Sequence, residues 1–102
     1  MRTQRVVAEY LKLKFPNCYP AGAGESGKDL RRTPGYSIEI KARSRLDIKG
    51  GLKQAKANAE PCDTPILIVR LNGQGEASVG DWVVIQSLES WRGHLENSDE
   101  LL

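Results

Sequence analysis

Asp29, Glu39 and Lys41 are the residues of this 102-residue chain whose types and spacing could do chemistry. Glu39 and Lys41 belong to a strand-like segment, Tyr36-Ser-Ile-Glu-Ile-Lys-Ala42, that follows a Pro34-Gly35 turn. Alternate side chains of a strand share a face. Tyr36, Ile38, Ile40 and Ala42 therefore line a core side, and Ser37, Glu39, Lys41 and Arg43 the opposite one. The second set places a carboxylate and an ammonium roughly 6–7 Å apart, two residues of strand rise. With Asp29 at the end of an antiparallel neighbour, two carboxylates and a lysine meet on one patch. Such a patch suits a hard, oxygen-preferring cation such as Mg²⁺, with a lysine to offset charge at a phosphodiester under attack by water. No Cys, Ser-His or Tyr arrangement suggests a covalent intermediate instead.

The elements that must position these residues can be read in order. Thr3 to Phe15 reads as a helix that ends before Pro16. Val6, Val7, Tyr10, Leu11 and Leu13 form its apolar face, with Arg2, Arg5, Glu9 and Lys12 opposite. Glu9, the only acid of that basic stripe, either pairs with Arg5 and Lys12 or reaches the carboxylate cluster as an outer ligand. Cys18 to Ala23 reads as a short strand entering a Gly-rich loop. Within the loop, Gly22 to Lys28 fits the GxxxxGK opening of a P-loop. Asp29, however, stands where a Ser or Thr would hold Mg²⁺, and Arg31-Arg-Thr-Pro34-Gly35 cannot begin a long helix, so no nucleotide cofactor is expected.

Asp47 reads as the N-cap of a second helix, Ile48 to Glu60, stopped by Pro61. Ile48, Leu52, Ala55 and Ala59 form its narrow apolar stripe, and Lys49, Lys53 and Lys56 a separate basic one, with Gln54 between the two faces. Thr64 to Leu71 reads as a buried strand, followed by an Asn72-Gly73 turn and a short strand at Glu76 to Val79. Asp81 to Gln86 gives a last strand, with Trp82 and Val84 on one face. Ser87 then caps a short helix through Leu95, buried by Leu88, Trp91 and Leu95, and the remaining tail is expected to fray. His94, the single histidine, lies on that helix away from the acid cluster and reads as a surface residue.

The length bounds the chain to one domain, and the longest apolar run, Ile66 to Val69, is far too short to cross a membrane. A basic N-terminus that leads into no signal-type apolar stretch points to the cytoplasm. Cys18 and Cys62 have no metal-ligand spacing and read as packed or idle thiols. The net charge of +2 hides an asymmetry: residues 1–58 carry 13 Lys/Arg against 5 Asp/Glu, and residues 59–102 carry 2 against 8. A basic half that holds the carboxylate cluster suits a polyanionic partner.

The order helix, strand, strand with Asp29, strand with Glu39-Ile40-Lys41, helix, strand resembles the PD-(D/E)XK nuclease superfamily. The nearest likeness is to small Holliday junction resolvases and resolvase-like nucleases of phages and archaea, and it covers the chain to about Val69. Lys28-Asp29 departs from the Pro-Asp common in that group. The resemblance implies an α/β fold with an α-β-β-β-α-β core and a mixed sheet flanked by helices. Residues 1–71 would be the catalytic core and 72–102 a C-terminal hairpin and helix. It implies a Mg²⁺ site, with Mn²⁺ able to substitute, ligated by Asp29, Glu39 and the carbonyl of Ile40. Lys41 would orient the water and offset charge at phosphorus, Glu9 would match a first-helix acid, and Gln54 would support the site from the second helix. Ser26 would touch the scissile phosphate.

The expected activity is therefore metal-dependent hydrolysis of branched double-stranded DNA, with the host cytoplasm as its location if the chain is phage-encoded. A nickase, a flap or nonspecific nuclease, or a non-catalytic DNA-binding module are the alternatives. Lys49, Lys53 and Lys56, together with Arg2, Arg5, Arg31, Arg32, Arg43 and Arg45, are the expected phosphate contacts. Paired cuts at a junction require two sites related by a two-fold axis, so a homodimer is expected. Trp82, Val84, Trp91 and Leu95 offer apolar material for its interface, unless the two tryptophans complete the monomer's own core.

Overall fold

Strand β3, Tyr36–Lys41, lies between two helices and organises everything else. The structure is a computed structural model that describes residues 2–22, 24–42 and 45–100, the side chains of 97–100 excepted. Helix α1, Arg2–Leu11, is followed by two very short strands, β1 at Tyr19–Pro20 and β2 at Leu30–Arg31. Helix α2 then covers Ile48–Ala57 and strand β4 Thr64–Val69. A 3₁₀ segment at Glu76–Asp81, strand β5 at Val83–Ile85 and helix α3 at Leu88–Glu100 complete the chain.

The architecture is mixed α/β. β3 and β4 pair in parallel along all six residues of each, which places Glu39 opposite Leu67 and Lys41 opposite Val69. Parallel neighbours need a crossover, and α2 supplies it. β5 joins the other side of β4 in antiparallel fashion, so the sheet order is β3-β4-β5. β1 and β2 form a separate antiparallel pair, tied to β3 by the bond from the Asp29 amide to the Ile38 carbonyl, 3.2 Å. Asp29 therefore sits one residue before its strand rather than within it.

One face of the sheet carries the main core. Ile38, Ile40, Ile66 and Ile68 pack with Val7 and Ala8 of α1, Cys18, Leu30 and Trp82. The other face lies under α2, so the side opposite the main core is covered as well. Ser37 is fully buried and its hydroxyl donates to the Ala55 carbonyl at 2.6 Å, while Glu39 is 2% exposed. α2 approaches this closely because its buried residues are Gly51 and Ala55. Ile48, expected in the apolar stripe, is exposed. Asp47 caps the helix as expected, accepting from the Gly50 amide at 2.9 Å.

Several expectations for the last third are corrected. Glu76–Asp81 is a 3₁₀ segment, not a strand, in keeping with the weak strand preference of Glu-Ala-Ser. Glu76 is instead held to α1 by an ion pair with Arg2, and Val79 packs on the core. β5 consequently belongs to the main sheet, not to an appended hairpin. Trp82 is buried; its indole N–H donates to the Gly75 carbonyl at 3.2 Å and the Arg70 guanidinium lies 5.5 Å above its ring. It completes the core of its own chain, which removes it from the expected interface. Ser87 does cap α3, accepting from the Ser90 amide, but the helix runs to Glu100, and Leu88, Trp91 and Leu95 are exposed where burial was expected. His94 packs near Tyr36, with ring centroids 6.4 Å apart. Cys18 is buried, Cys62 is exposed, and both are free. Among the described residues no helix is long and apolar enough to cross a membrane.

The contact between α2 and β4 makes a direct test. A Cβ on Gly51 would lie 2.9 Å from both methyl carbons of Leu67, which is fully buried and has no room to move. Gly51→Val should lower unfolding free energy by about 1–3 kcal/mol, the usual effect of overpacking, measured by urea denaturation.

Candidate active site

Asp29, Glu39, Ile40, Lys41 and Gln54 line a single cleft of about 360 Å³, together with Thr3, Gln4 and Ala42. They arrive from β3, from the turn before β2 and from α2, each for a local reason. Glu39 and Lys41 share the α2 face of β3 by strand alternation. Asp29 comes from the turn before β2, and its carboxylate accepts from the Ile40 amide at 2.8 Å. Gln54 descends from α2, and its side-chain oxygen accepts from the Lys41 ammonium at 3.1 Å. That ammonium lies 3.4 Å from the Glu39 carboxylate. Lys41 is thus held between a carboxylate of its own strand and an amide of the neighbouring helix.

The electrostatics of this cluster are unbalanced. Burial pushes the Glu39 carboxyl up from 4.5 to about 7, the Asp29 carboxylate beside it pushes the same way, and Lys41 opposes both without cancelling them. A buried carboxylate and a half-buried one beside a single lysine favour either a bound proton or a bound cation. Among the described residues no group of three or more His, Cys, Asp or Glu side chains could hold a metal. The donors here are two carboxylates and the backbone of Ile40. That set fits Mg²⁺, which binds through one or two carboxylates and keeps several waters. It does not fit Zn²⁺, which prefers His and Cys.

The remaining expected residues lie elsewhere. Glu9 is separated from the cleft because it sits about 140° around the helix from Gln4. It lines a different hollow with Arg2, Arg5 and Tyr10, and it pairs with Lys12 at 3.0 Å. Glu9 thus pairs with Lys12, one of its two expected partners, and lines a hollow other than the carboxylate cleft. Thr3 and Gln4 are the α1 residues that reach the cleft; they were missed because they are neutral and lie outside the basic stripe.

Ser26 is exposed on the Gly-rich loop, and its carbonyl accepts from Arg31 at 2.5 Å. Arg31 also pairs with Glu25 at 3.3 Å, and Arg32 stacks over the Tyr19 ring at 5.9 Å. The loop leads into Asp29 and a two-residue strand, so it lacks the helix N-terminus a P-loop uses. Arg45 lines a second hollow that shares Lys41 and Gln54 with the cleft. Lys49, Lys53 and Lys56 are exposed along a groove between α2 and α3. Arg43 lies outside the described residues.

No protein-family profile, no curated protein and no solved structure matches the chain.

The raised Glu39 pKa has a consequence for stability. The folded chain holds its proton more tightly than the unfolded one, so the contribution is fully present below about pH 4.5 and is lost as pH rises through about 7. In metal-free buffer, Glu39→Gln should remove most of that decline and stabilise the protein at pH 8 by up to about 3 kcal/mol. Denaturant midpoints of both proteins from pH 4 to pH 8 provide the check.

Proposed function

We propose that this chain is a Mg²⁺-dependent endonuclease of the PD-(D/E)XK type that hydrolyses phosphodiesters at branched DNA, as Holliday junction resolvases do. The observation that carries the reading is the convergence of Asp29, Glu39, Lys41 and Gln54 on one cleft. Asp29 and Glu39 would hold the cation with the Ile40 carbonyl. When bound, Mg²⁺ supplies Lewis-acid activation of water and phosphate, and Mn²⁺ would substitute. Lys41 stands where it can offset negative charge developing on the phosphate oxygens, and Gln54 fixes the direction of its ammonium. The sparse protein donor set leaves room for water, which hydrolysis requires.

DNA would approach across α2. Lys49, Lys53 and Lys56 project from that helix, and Arg45 lies beside the hollow that adjoins the cleft. Contacts of this kind neutralise phosphates and carry no base preference. A chain with one such cleft cuts one strand at a time, so resolving a four-way junction would take a two-fold homodimer. Val84, Leu88, Trp91 and Leu95 are exposed on β5 and α3, and β5 is an edge of its sheet. A second copy covering this surface would leave α2 of both copies free.

The decisive experiment is Mg²⁺-dependent cleavage of a labelled four-way junction beside matched duplex, flap, nick and single strand. Asp29→Asn, Glu39→Gln and Lys41→Ala should each lower cleavage at least about a hundredfold while junction binding persists. Cleavage confined to flaps or nicks would keep the chemistry and change the substrate. Binding with no metal-dependent cleavage would make the chain a DNA-binding module.

Assembly is tested separately by light scattering at micromolar concentration. The expected mass is twice the 11.3 kDa of one chain, and Trp91→Glu with Leu95→Glu should return it to a single chain. A wild-type protein that stays at 11.3 kDa with junction DNA present would remove the homodimer from the proposal.

A further inference from the structure

Lys28, next in sequence to Asp29, points away from the cleft. Its ammonium lies 2.5 Å from the Asp63 carboxylate, in an ion pair whose side chains are 20% and 9% exposed. Asp63 is itself well fixed. The same carboxylate oxygen accepts from the Glu60 amide at 2.9 Å, and the Asp63 amide donates to the Glu60 carbonyl at 3.0 Å. Cys62, between them, adopts a left-handed φ of 75° to close the turn. One residue on, the Thr64 amide donates to the Gly35 carbonyl at 2.8 Å, and the β3–β4 ladder begins.

On the other side of Lys28 is an exposed stretch, Gly24 to Gly27, with glycines in the left-handed region at both ends. Such a loop does little to restrain the residues that leave it. Asp29 must nonetheless hold its carboxylate on the Ile40 amide, beside Glu39. Its backbone is bonded to Ile38 and Ala21, but Ala21 belongs to the other end of the same loop. Leu30, fully buried in the core, anchors the residue after it, and on the loop side the nearest fixed point is Lys28.

We infer that the Lys28–Asp63 ion pair positions the Asp29 carboxylate, which makes Lys28 and Asp63 positioning residues for the cleft. The inference rests on the reading of Asp29 as a metal ligand only for its effect on catalysis; the geometric claim concerns the Asp29–Ile40 bond itself. A lysine beside a candidate phosphate site would ordinarily be assigned to the phosphate. Here the turn before β4 holds it instead, with its charge largely out of water.

Two readouts test this on the full chain. The first is hydrogen exchange of the metal-free protein at the Ile40 amide, with the β4 amides of Leu67 and Ile68 as reference. The second is Mn²⁺ affinity, followed by loss of the free-ion paramagnetic resonance signal. In Lys28→Met and in Asp63→Asn, Ile40 should exchange at least about tenfold faster while β4 is unchanged. Mn²⁺ affinity should fall by about tenfold or more, the usual effect of losing a group that orients a ligand. Lys28→Arg should retain both properties, and it keeps the test open if the other variants fold poorly.

Equal acceleration at Ile40 and in β4 would show that the pair only supports the fold and would overturn the inference. So would an unchanged Ile40. If Lys28→Met weakens junction binding while Asp63→Asn strengthens it, Lys28 is a phosphate contact and the inference fails. Wild-type Mn²⁺ affinity in Asp29→Asn would instead overturn the metal-site reading, and Ile40 exchange would still decide what the ion pair does.

Discussion

Glu39 places a carboxylate in the middle of a buried strand, and the surroundings of the cleft follow from having to keep it there. Taking a carboxylate out of water costs several kcal/mol unless it is paired. Lys41 on the same face supplies a partner at 3.4 Å, but Asp29 brings a second negative charge to the same place. The conflict is not resolved by protein groups alone, which is why the proton of Glu39 is held up to about neutral pH. A stable fold would more simply have an apolar residue opposite Leu67. Retaining a carboxylate there lowers stability, and on the proposed reading that loss is exchanged for affinity for a cation.

The helix that covers Glu39 makes this possible. Gly51 and Ala55 let α2 settle close against β3 and β4, and Ser37 uses its hydroxyl to satisfy a carbonyl of that helix. Bulkier residues at those positions would lift α2, admit water to Glu39 and return its pKa toward that of an ordinary glutamate. Gln54, one residue before Ala55, then reaches the rim and orients Lys41. The packing of α2 and the chemistry of the cleft are thus one arrangement, and a change at the helix–sheet contact would be felt at the carboxylates.

The register of the site was legible in the sequence because a strand has period two: once Tyr36–Lys41 is a strand, Glu39 and Lys41 share a side. Asp29 falls beside them as the end of an antiparallel neighbour, whereas Gln54 comes only from the family resemblance. Burial of that side was not legible. Alternation reports which residues face together, and it cannot say whether a helix or solvent covers them. Glu9 shows a related limit, since helical phase relative to the sheet depends on how α1 docks, and a few residues of error turn a side chain to another hollow. Trp82 and the segment from Glu76 were misread because Asn72-Gly73 suggested a local hairpin. In the fold, β5 instead finds β4 across an intervening 3₁₀ segment. The exposed Trp91 and Leu95 are the opposite case, apolar residues for which a single chain provides no cover.

Charge shows most clearly how composition differs from a surface. The basic balance of residues 1–58 suggests a broad cationic face, but several of its cations are occupied within the fold. Arg2 pairs with Glu76 and Lys28 with Asp63, each joining the basic half of the chain to its acidic half. Lys12 and Arg31 pair with Glu9 and Glu25, and Lys41 with Glu39. Part of the asymmetry therefore serves to dock the two halves of the sequence on each other. By contrast, no ion pair among the described residues engages Lys49, Lys53 or Lys56. These three stand on the helix that closes over Glu39 and line its groove toward α3, while a separate hollow beside Arg45 shares Lys41 and Gln54 with the carboxylate cleft. A polyanion attracted to the uncommitted cations of this molecule would be drawn to α2. On the proposed reading, the same helix carries Gln54 into the carboxylate cleft, so a polyanion held along α2 would have that cleft at hand.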